Sequence, residues 1–308
     1  MNVLRLTLRQ LQIFVAVART GSTTAASQAI ALSQSATSSA INELERLLSL
    51  DLFDRVGKRL VLNDNGRALL PQALAILDGA ASIENMSHDG SAQAQSLRVG
   101  ASTTIGNYVL PRLLAGYAMA QQIGQSSAWR SRVVIANTAV ICDAVAAFEL
   151  DIGLIEGPCH QPTLNVTPWL QDELVVVASP DSPLVHSNTQ GERIPLRTLR
   201  EQVWLVREAG SGTREATDQG LLPHLRSYRR SIDLGSSEAI KNAAAAGLGV
   251  ACLSSWVVED AIAAGRLRRI ETTLPRLMRQ CYLVVHRQKL PTPALQAFVA
   301  QVSAPTSN

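Results

Sequence analysis

Apolar residues recur at helical spacing through the first third of the chain and alternate between strand-like runs and helical patterns through the rest. Leu11, Phe14, Val15 and Ala18 fall at i, i+3, i+4 and i+7, one apolar face of an amphipathic helix. Gly21 stands where such a helix ends, and Ser22 or Thr23 can cap a second helix running to about Ile30. A tight break at Ala31-Leu32-Ser33 follows, and Ser33 caps a third helix. There Thr37, Ile41, Leu44 and Leu48 form the inward stripe, which leaves Gln34, Ser35, Ser38, Ser39 and Asn42 on another, polar face. Two short helices across a tight break, the second opening on hydroxyl and amide side chains, predict a helix-turn-helix. One helix braces and the next presents polar side chains to base edges. A polar helical face is ordinarily just solvated; its place at the start of the second helix favours base contact.

Leu52 to Leu62 reads as two short apolar-ended segments around Gly57, a β-wing whose tip carries Arg55, Lys58 and Arg59 toward phosphates or a minor groove. Asn63 or Asp64 can cap a long helix from Asn65 to about Met86, with Leu70, Leu74, Leu77, Ala81 and Glu84 along one seam and Pro71 inside it. That helix is either an ordinary core element or a surface for pairing with a second chain. Ser87 to Ser96 is small, polar and aperiodic, a hinge.

Beyond the hinge the texture is α/β. Strands are predicted at Leu97–Ala101, Val133–Ile135, Asp151–Ile155, Val175–Ala178, Val203–Val206, Ile232–Leu234, Val250–Leu253 and Tyr282–Val285. Helical patterns lie between them, and a closing helix covers Thr292–Val302. The alternation predicts parallel strands in two lobes, about 97–163 with 269–303 and 164–268, the chain crossing near Thr163 and near Arg268. Ligands in such folds sit at the carboxyl ends of strands, against helix N-termini. Ser102, Thr103 and Thr104 follow the first strand and open a helix. Ser211, Gly212 and Thr213 do so in the other lobe, with Arg207 and Arg214 nearby. Two such termini across a cleft suit a small oxyanion or carboxylate; plain N-capping at both is the alternative. Glu156, after the third strand, either bonds a ligand or faces solvent.

Composition narrows this picture. With 46% hydrophobic and 17% charged residues the chain is globular, and 308 residues suggest about two domains. A net charge of +3 is too weak to show nucleic-acid binding by itself. Arg46, Arg55, Lys58, Arg59 and Arg67 do cluster, partly offset by Glu43, Glu45, Asp51 and Asp54. Leu11 to Ala18 is too short for a signal sequence, and no apolar run could span a membrane, so a cytoplasmic protein is expected. Cys142, Cys159, Cys252 and Cys281 are scattered, which predicts reduced thiols and neither disulfide nor metal site. No catalytic motif occurs: GxSxG, HExxH and GxxxxGK[ST] are missing, Gly210–Thr213 lacks the lysine of a phosphate loop, and the five histidines do not pair with carboxylates at a useful spacing. No enzyme and no cofactor is expected.

The first 85 residues resemble the winged helix-turn-helix of LysR-type transcriptional regulators. The match runs through Leu11-x-x-Phe14, Ala16-Val17-Ala18, Gly21-Ser22, Ala25-Ala26, Leu32-Ser33-Gln34-Ser35-Ala36, Ser38, Ile41, Leu44-Glu45, Leu52-Phe53-Asp54-Arg55 and Gly66-Arg67-Ala68-Leu69-Leu70. The resemblance continues over the whole chain and implies an α+β multidomain protein. Residues 1–64 are then the DNA-binding domain, 65–86 a dimerisation helix, 87–96 the hinge and 97–308 a two-lobed effector domain similar to type 2 periplasmic solute-binding proteins. It implies contacts to double-stranded promoter DNA at Ser33, Gln34, Ser35 and Ser38, joined by Ser39 and Asn42 on the same face, and wing contacts at Arg55, Lys58 and Arg59. It also implies a small effector, anionic by the chemistry of the cleft, at Ser102, Thr103, Thr104, Glu156, Arg207, Ser211, Gly212 and Thr213. A homodimer or homotetramer, with RNA polymerase as a further partner, completes the expectation. Gly100–Gly106, Glu208–Arg214 and Ala246–Val250 resemble the sulfur-responsive, sulfite-sensing members. Departures are Ser35 for a common Pro, Thr37 for Val, Ser39 for a larger polar residue, and Ser49 and Asn65 for frequent Gly and Ala. A solute-binding protein with no role in gene regulation is the alternative, against which the helix-turn-helix stands.

Overall fold

The computed structural model describes residues 4–57, 59–86, 97–120, 131–189 and 191–304. Lys58 and the hinge at Ser87–Ser96 lie outside them. Two compact units emerge, residues 1–93 with 288–290, and 94–287 with 291–308.

The first unit opens with α1 (Leu8–Thr20), α2 (Thr23–Ala29) and α3 (Gln34–Leu48). Thr7 and Gln10 close a reciprocal capping box on α1, and Gly21 ends that helix at φ +67°, its N–H on Val17 O. Ser22 and Ser33 cap α2 and α3 through side-chain oxygens. The break between those helices turns at Ala31, at φ +52°. Leu11, Phe14, Val17, Ala26, Ile41 and Leu44 are buried together, with the Phe14 and Phe53 rings 5.6 Å apart. Each large apolar side chain in such a core is worth about 1.5–3 kcal/mol over leaving it exposed. β1 (Phe53–Val56) and β2 (Arg59–Leu62) pair antiparallel as the wing, with Gly57 at φ +61° in the turn. Leu60 N–H bonds Gly21 O at 2.8 Å, tying the wing to the α1–α2 turn.

α4 (Asp64–Met86) starts one residue earlier than expected and continues through Pro71. Asn63 is its cap, its Oδ1 accepting from Gly66 N at 2.9 Å. A side chain at Gly66 would meet Leu52 O at 2.2 Å, so only glycine lets the helix start this close to the wing. Ala73 is buried and Leu69, Leu70, Leu74 and Leu77 pack on the core of this unit, which therefore absorbs the first half of the seam. Ile76 and Ile83, seven residues apart, are exposed.

The second unit is built on a nine-stranded sheet, counted among the described residues, whose path runs β4-β3-β5-β11-β6-β9-β7-β8 with β10 beside β6. In chain order these are β3 (Arg98–Ser102), β4 (Arg132–Ala136), β5 (Ile152–Glu156), β6 (Leu164–Ala178), β7 (Val203–Arg207), β8 (Arg230–Leu234), β9 (Val250–Ser254), β10 (Arg268–Arg269) and β11 (Leu277–His286). The helices that matter below are α5 (Thr103–Tyr108), α6 (Leu110–Ala120), α7 (Thr138–Ala146), α8 (Pro183–Thr189), α9 (Leu196–Arg200), α10 (Gly212–Leu225), α11 (Ser237–Ala245), α12 (Ser255–Ala263) and α13 (Pro293–Ser303).

The expected parallel pairing holds on the two flanks, where β3 joins β4 and β5 and β7 joins β8 and β9. The centre is antiparallel: β11 lies between β5 and β6, and β6 pairs β9. β6 and β11 are far longer than the four-residue strands read from sequence. Asn165, Thr167, Pro168, Gln171 and Asp172 interrupt the apolar run of β6, yet its first half still pairs with β11. β6 gains β9 as a second neighbour only from Leu174, and β11 gains β5 only from Cys281. The passage between lobes therefore runs along these two strands. One lobe packs Leu97, Val99, Ile105, Tyr117, Leu154 and Phe298 together; the other encloses Trp204, Leu221 and Leu225 on one face of the sheet and Leu205, Ile240 and Val257 on the other.

Candidate functional site

Two separate sets of side chains have functional geometry. On the first unit, Ser33, Gln34, Ser35, Ser39 and Asn42 are exposed on α3 and Ser38 is half-buried beside them. Ser33 Oγ accepts from Ala36 N at 3.1 Å and lies 3.1 Å from Ser35 Oγ, and Gln34 Nε2 donates to Thr23 Oγ1 at 3.3 Å. The inward Thr37 is fully buried, and its hydroxyl donates back to Ser33 O at 3.0 Å, so it leaves no unsatisfied polar group. Of the clustered charges, Arg46 pairs with Glu43 at 2.7 Å and Arg67 with Asp64 at 2.6 Å, while Glu45 accepts the Leu52 N–H at 2.8 Å. Arg55 and Arg59 are exposed on the wing and have no acidic partner among the described residues.

In the second unit the carboxyl ends of β3, β4, β5, β7 and β8 converge on the line between the lobes. Glu156, at the end of β5, is 1% exposed, which overturns its reading as a solvent-facing residue. Its carboxylate accepts from Ser102 Oγ, from Thr104 N at 3.2 Å, from Ile105 N at 3.4 Å and from Thr213 Oγ1 at 3.4 Å. The α5 terminus that sequence offered to an external anion thus holds an internal one, because the unpaired N–H groups of a first turn favour whichever negative charge lies nearest. Thr213 Oγ1 in turn accepts from Arg279 at 2.8 Å, and buried Arg279 is paired with buried Asp172 at 2.6 Å. Burial pushes the Asp172 carboxyl up despite that arginine. Arg279 is depressed by burial, yet Glu156 and Asp172 more than restore it.

The lobes touch closely here. A side chain at Gly212 would lie 1.6 Å from Glu156 O, and Gly212 N–H bonds Thr138 Oγ1 at 3.2 Å. Ser211 Oγ is spent on capping α10, accepting from Arg214 N at 3.4 Å. Arg214 pairs with Asp218 at 2.7 Å and donates to Arg207 O at 2.8 Å, so it braces the strand and not the cleft. Ser102, Thr104, Glu156, Ser211, Gly212 and Thr213 are all buried in this contact; Thr103 is half-buried at its edge. Thr104 Oγ1 has no partner among the described residues.

Arg207 lies beside this contact, at the end of β7. Its side chain is buried, and all three guanidinium nitrogens are used. Nη1 donates to Thr103 Oγ1 at 3.1 Å in the other lobe and to Ser237 Oγ at 3.0 Å. Nε and Nη2 grip the Glu208 carboxylate at 2.7 and 2.8 Å in a two-pronged fork, and Asn137 Nδ2 approaches the same carboxylate at 3.4 Å. Burial raises the Glu208 carboxyl, but the hydrogen bonds and charge of Arg207, with a backbone N–H and Asn137, together outweigh it and hold Glu208 below the usual carboxylate range. Glu208 keeps a third of its side-chain surface exposed. A second bridge between the lobes joins Tyr108 OH to Glu238, with Lys241 at 3.1 Å from the same hydroxyl.

Asn137, Thr138, Ser237, Glu208 and Arg279 were not singled out from sequence. The first three carried a usable signal, since each opens or caps a helix directly after a strand, as Ser102 and Ser211 do. Arg279 carried another: a charge within a strand whose other residues are uncharged apart from the closing His286. No group of three or more His, Cys, Asp or Glu side chains among the described residues converges as a metal site. No described helix is long and apolar enough to cross a membrane. All four cysteines are free, and burial pushes the Cys252 and Cys281 thiols up to about 12.

Comparison with known proteins places this geometry. Residues 8–67 match the family described as bacterial regulatory helix-turn-helix protein, lysR family, and residues 90–304 match the LysR substrate binding domain. The HTH-type transcriptional regulator YeiE of Escherichia coli (strain K12) is 45% identical over 296 residues, 96% of this chain and 97% of that one. The regulatory domain of CcmR from Synechocystis PCC6803, in complex with 2-PG, is 29% identical and superposes with a TM-score of 0.60 over 69% of this chain and 98% of that one. Full-length CbnR, complexed with its target DNA, shares the fold at 21% identity and a TM-score of 0.57, over 96% of this chain and 99% of that one.

Proposed function

The chain belongs to the LysR family of bacterial transcriptional regulators, with a DNA-binding helix-turn-helix and an effector-binding domain and not an enzyme's site, and from that premise we propose how its residues divide the work. Ser33, Gln34, Ser35, Ser38, Ser39 and Asn42 on α3 face the major groove of promoter DNA. Arg55 and Arg59 on the wing, joined by Lys58, meet phosphates. The recognition face is short and uncharged, so the unpaired wing cations supply much of the affinity and its salt dependence.

The effector is a small anion seated in the Arg207 fork. One observation carries this: a buried guanidinium at the strand ends between two lobes already grips a carboxylate, that of Glu208, with Thr103, Ser237 and Asn137 around it. Glu208 occupies the place of the anion, and the effector displaces it. CcmR, whose regulatory domain was solved with 2-PG bound, supports a small ligand in this domain. Binding shifts the balance between two arrangements of the lobes and thereby of the subunits on DNA, which requires different affinity for the two. The protein acts as a homodimer or homotetramer through the exposed stripe of α4, in the cytoplasm where its operators lie, with RNA polymerase as the partner its bound form addresses.

Calorimetry on the full chain with sulfite, sulfate and small carboxylates, alongside gel shifts on the gene's own upstream DNA at stated salt, tests this. Glu208→Gln is expected to tighten binding of the active anion about tenfold, because a neutral amide competes poorly for the guanidinium. Thr103→Val is expected to abolish the response while leaving the gel shift intact. Unchanged anion affinity in both variants would overturn the placement, and a gel shift without sequence specificity would overturn the DNA assignment.

A further inference from the structure

Away from the cleft, the lobe built on β7–β9 carries a cavity of about 420 Å³, within the range that encloses small-molecule ligands. Its floor is the second half of β6, at Leu174–Val176, and its rim carries Arg193, Arg269 and Arg276. Glu173 is the carboxylate these arginines share. Its Oε1 accepts from Arg269 Nη2 at 2.9 Å and Arg276 Nε at 3.2 Å, and its Oε2 from Arg276 Nη2 at 3.3 Å. Those hydrogen bonds, from Arg276 first and Arg269 next, hold Glu173 below the usual carboxylate range. Glu271 adds one bond to Arg269 from the outer rim, at 3.3 Å. Arg193 has no ion-pair partner among the described residues. The lining therefore sets three guanidinium groups against two carboxylates, one of them largely outside.

The rim is held in place. Ile194 N–H bonds Glu271 O at 2.9 Å and Thr273 N–H bonds Ile194 O at 3.1 Å, so the segments carrying Arg193 and Arg276 are stitched together through the backbone. Planar guanidinium groups on a pinned backbone around a concavity recognise carboxylate and phosphate oxygens by paired hydrogen bonds. We propose that this cavity is a second anion site, for a small molecule bearing two or more phosphate or carboxylate groups. One group is taken by Arg193 and another by Arg276, with Arg269 left on Glu173. The site is separate from the Arg207 cleft, and its position connects the two. Glu173 is the chain neighbour of Asp172, whose partner Arg279 donates to Thr213 Oγ1, which donates to Glu156 at the lobe contact. An anion that redistributes charge on β6 acts on the segment where the chain passes between lobes, so occupancy of the second site alters affinity at the first, and reciprocally.

Calorimetry on the full chain with tripolyphosphate and with citrate tests the site. Polyanions also reach the wing, so four proteins are compared: the unmodified chain, Arg193→Ala/Arg276→Ala, Arg55→Ala/Arg59→Ala and Thr103→Val. One high-affinity event per chain is expected for at least one probe, weakened tenfold or more in Arg193→Ala/Arg276→Ala and kept in the other two variants. Binding of citrate alone identifies a carboxylate ligand, and of tripolyphosphate alone a phosphate ligand; each supports the site. Arg193→Lys/Arg276→Lys, which keeps charge and loses the fork, is expected to retain part of the affinity. Binding that survives Arg193→Ala/Arg276→Ala, that disappears with the wing or Thr103 variants instead, or that is missing for both probes overturns the proposal.

Discussion

Single residues here are constrained by what faces them across the fold. Gly212 is the sharpest case. A methyl group would fall 1.6 Å from Glu156 O, and that oxygen belongs to a strand that cannot withdraw. Gly212→Ala is expected to cost on the order of 3 kcal/mol or to part the lobes. A fall in the thermal midpoint of the effector domain checks it, and an unchanged midpoint would contradict the contact. Thr37 is the opposite case. Its hydroxyl is already bonded to Ser33 O within its own helix. Thr37→Val keeps the shape and removes the hydroxyl donor, while Ser33 O still accepts from the backbone N–H of residue 37 at 3.0 Å, so stability is expected to change by less than about 1 kcal/mol in denaturant titration. The sequence marked Thr37 as an inward residue, and the carbonyl its hydroxyl reaches is local, because i and i−4 are neighbours on any helix. It could not mark Glu156 as the cap of α5, since that depends on two strands lying side by side.

At the scale of elements, caps and periodicity predicted the end of α1, the start of α3 and both ends of α2 and α4 to within about a residue, because capping is local chemistry. α4 shows where periodicity stops being informative. Its seam reads the same whether it meets its own core or a second chain. The structure assigns Leu70, Leu74 and Leu77 to the core and leaves Ile76 and Ile83 outside. β6 shows another limit: its first half is too polar for a strand signal, yet β11 supplies a ladder of backbone bonds along it. For the wing, local reading identified the cations, and the structure sorted them by leaving only Arg55 and Arg59 unpaired among those described. Arg55→Ala is expected to weaken binding to all DNA sequences alike and to lower the salt slope of log K by about one unit. An altered sequence preference with an unchanged slope would count against the assignment.

For the whole molecule, association and lobe closure are the properties to test. Ile76→Asp/Ile83→Asp is expected to shift sedimentation toward the monomer without unfolding the winged helix, whose core those two side chains do not enter. A mass that does not change would remove α4 from the interface. Stability depends on acid. Glu208 is held below its ordinary value, so its contact with Arg207 is fully present above about pH 4.3. That contact is lost as the pH falls through the lowered folded value. The acid limb of a stability–pH profile should be flatter in Glu208→Gln than in the unmodified chain, and identical limbs would deny the linkage. Several features were legible in the chain alone: a helix-turn-helix with a wing, an α/β domain beyond a polar stretch, and a cleft where strands give way to helices. These follow from two short periods and from residues that cap what comes next. The tertiary structure decided which groups face one another. Thr103 meets Arg207 across 104 positions, and Glu156 takes the α5 terminus from 51 to 54 positions away. Periodicity reports which side of an element turns inward; only the packed fold says which charge waits there. For that reason the arginine that sequence offered to an effector is found holding a carboxylate of its own chain.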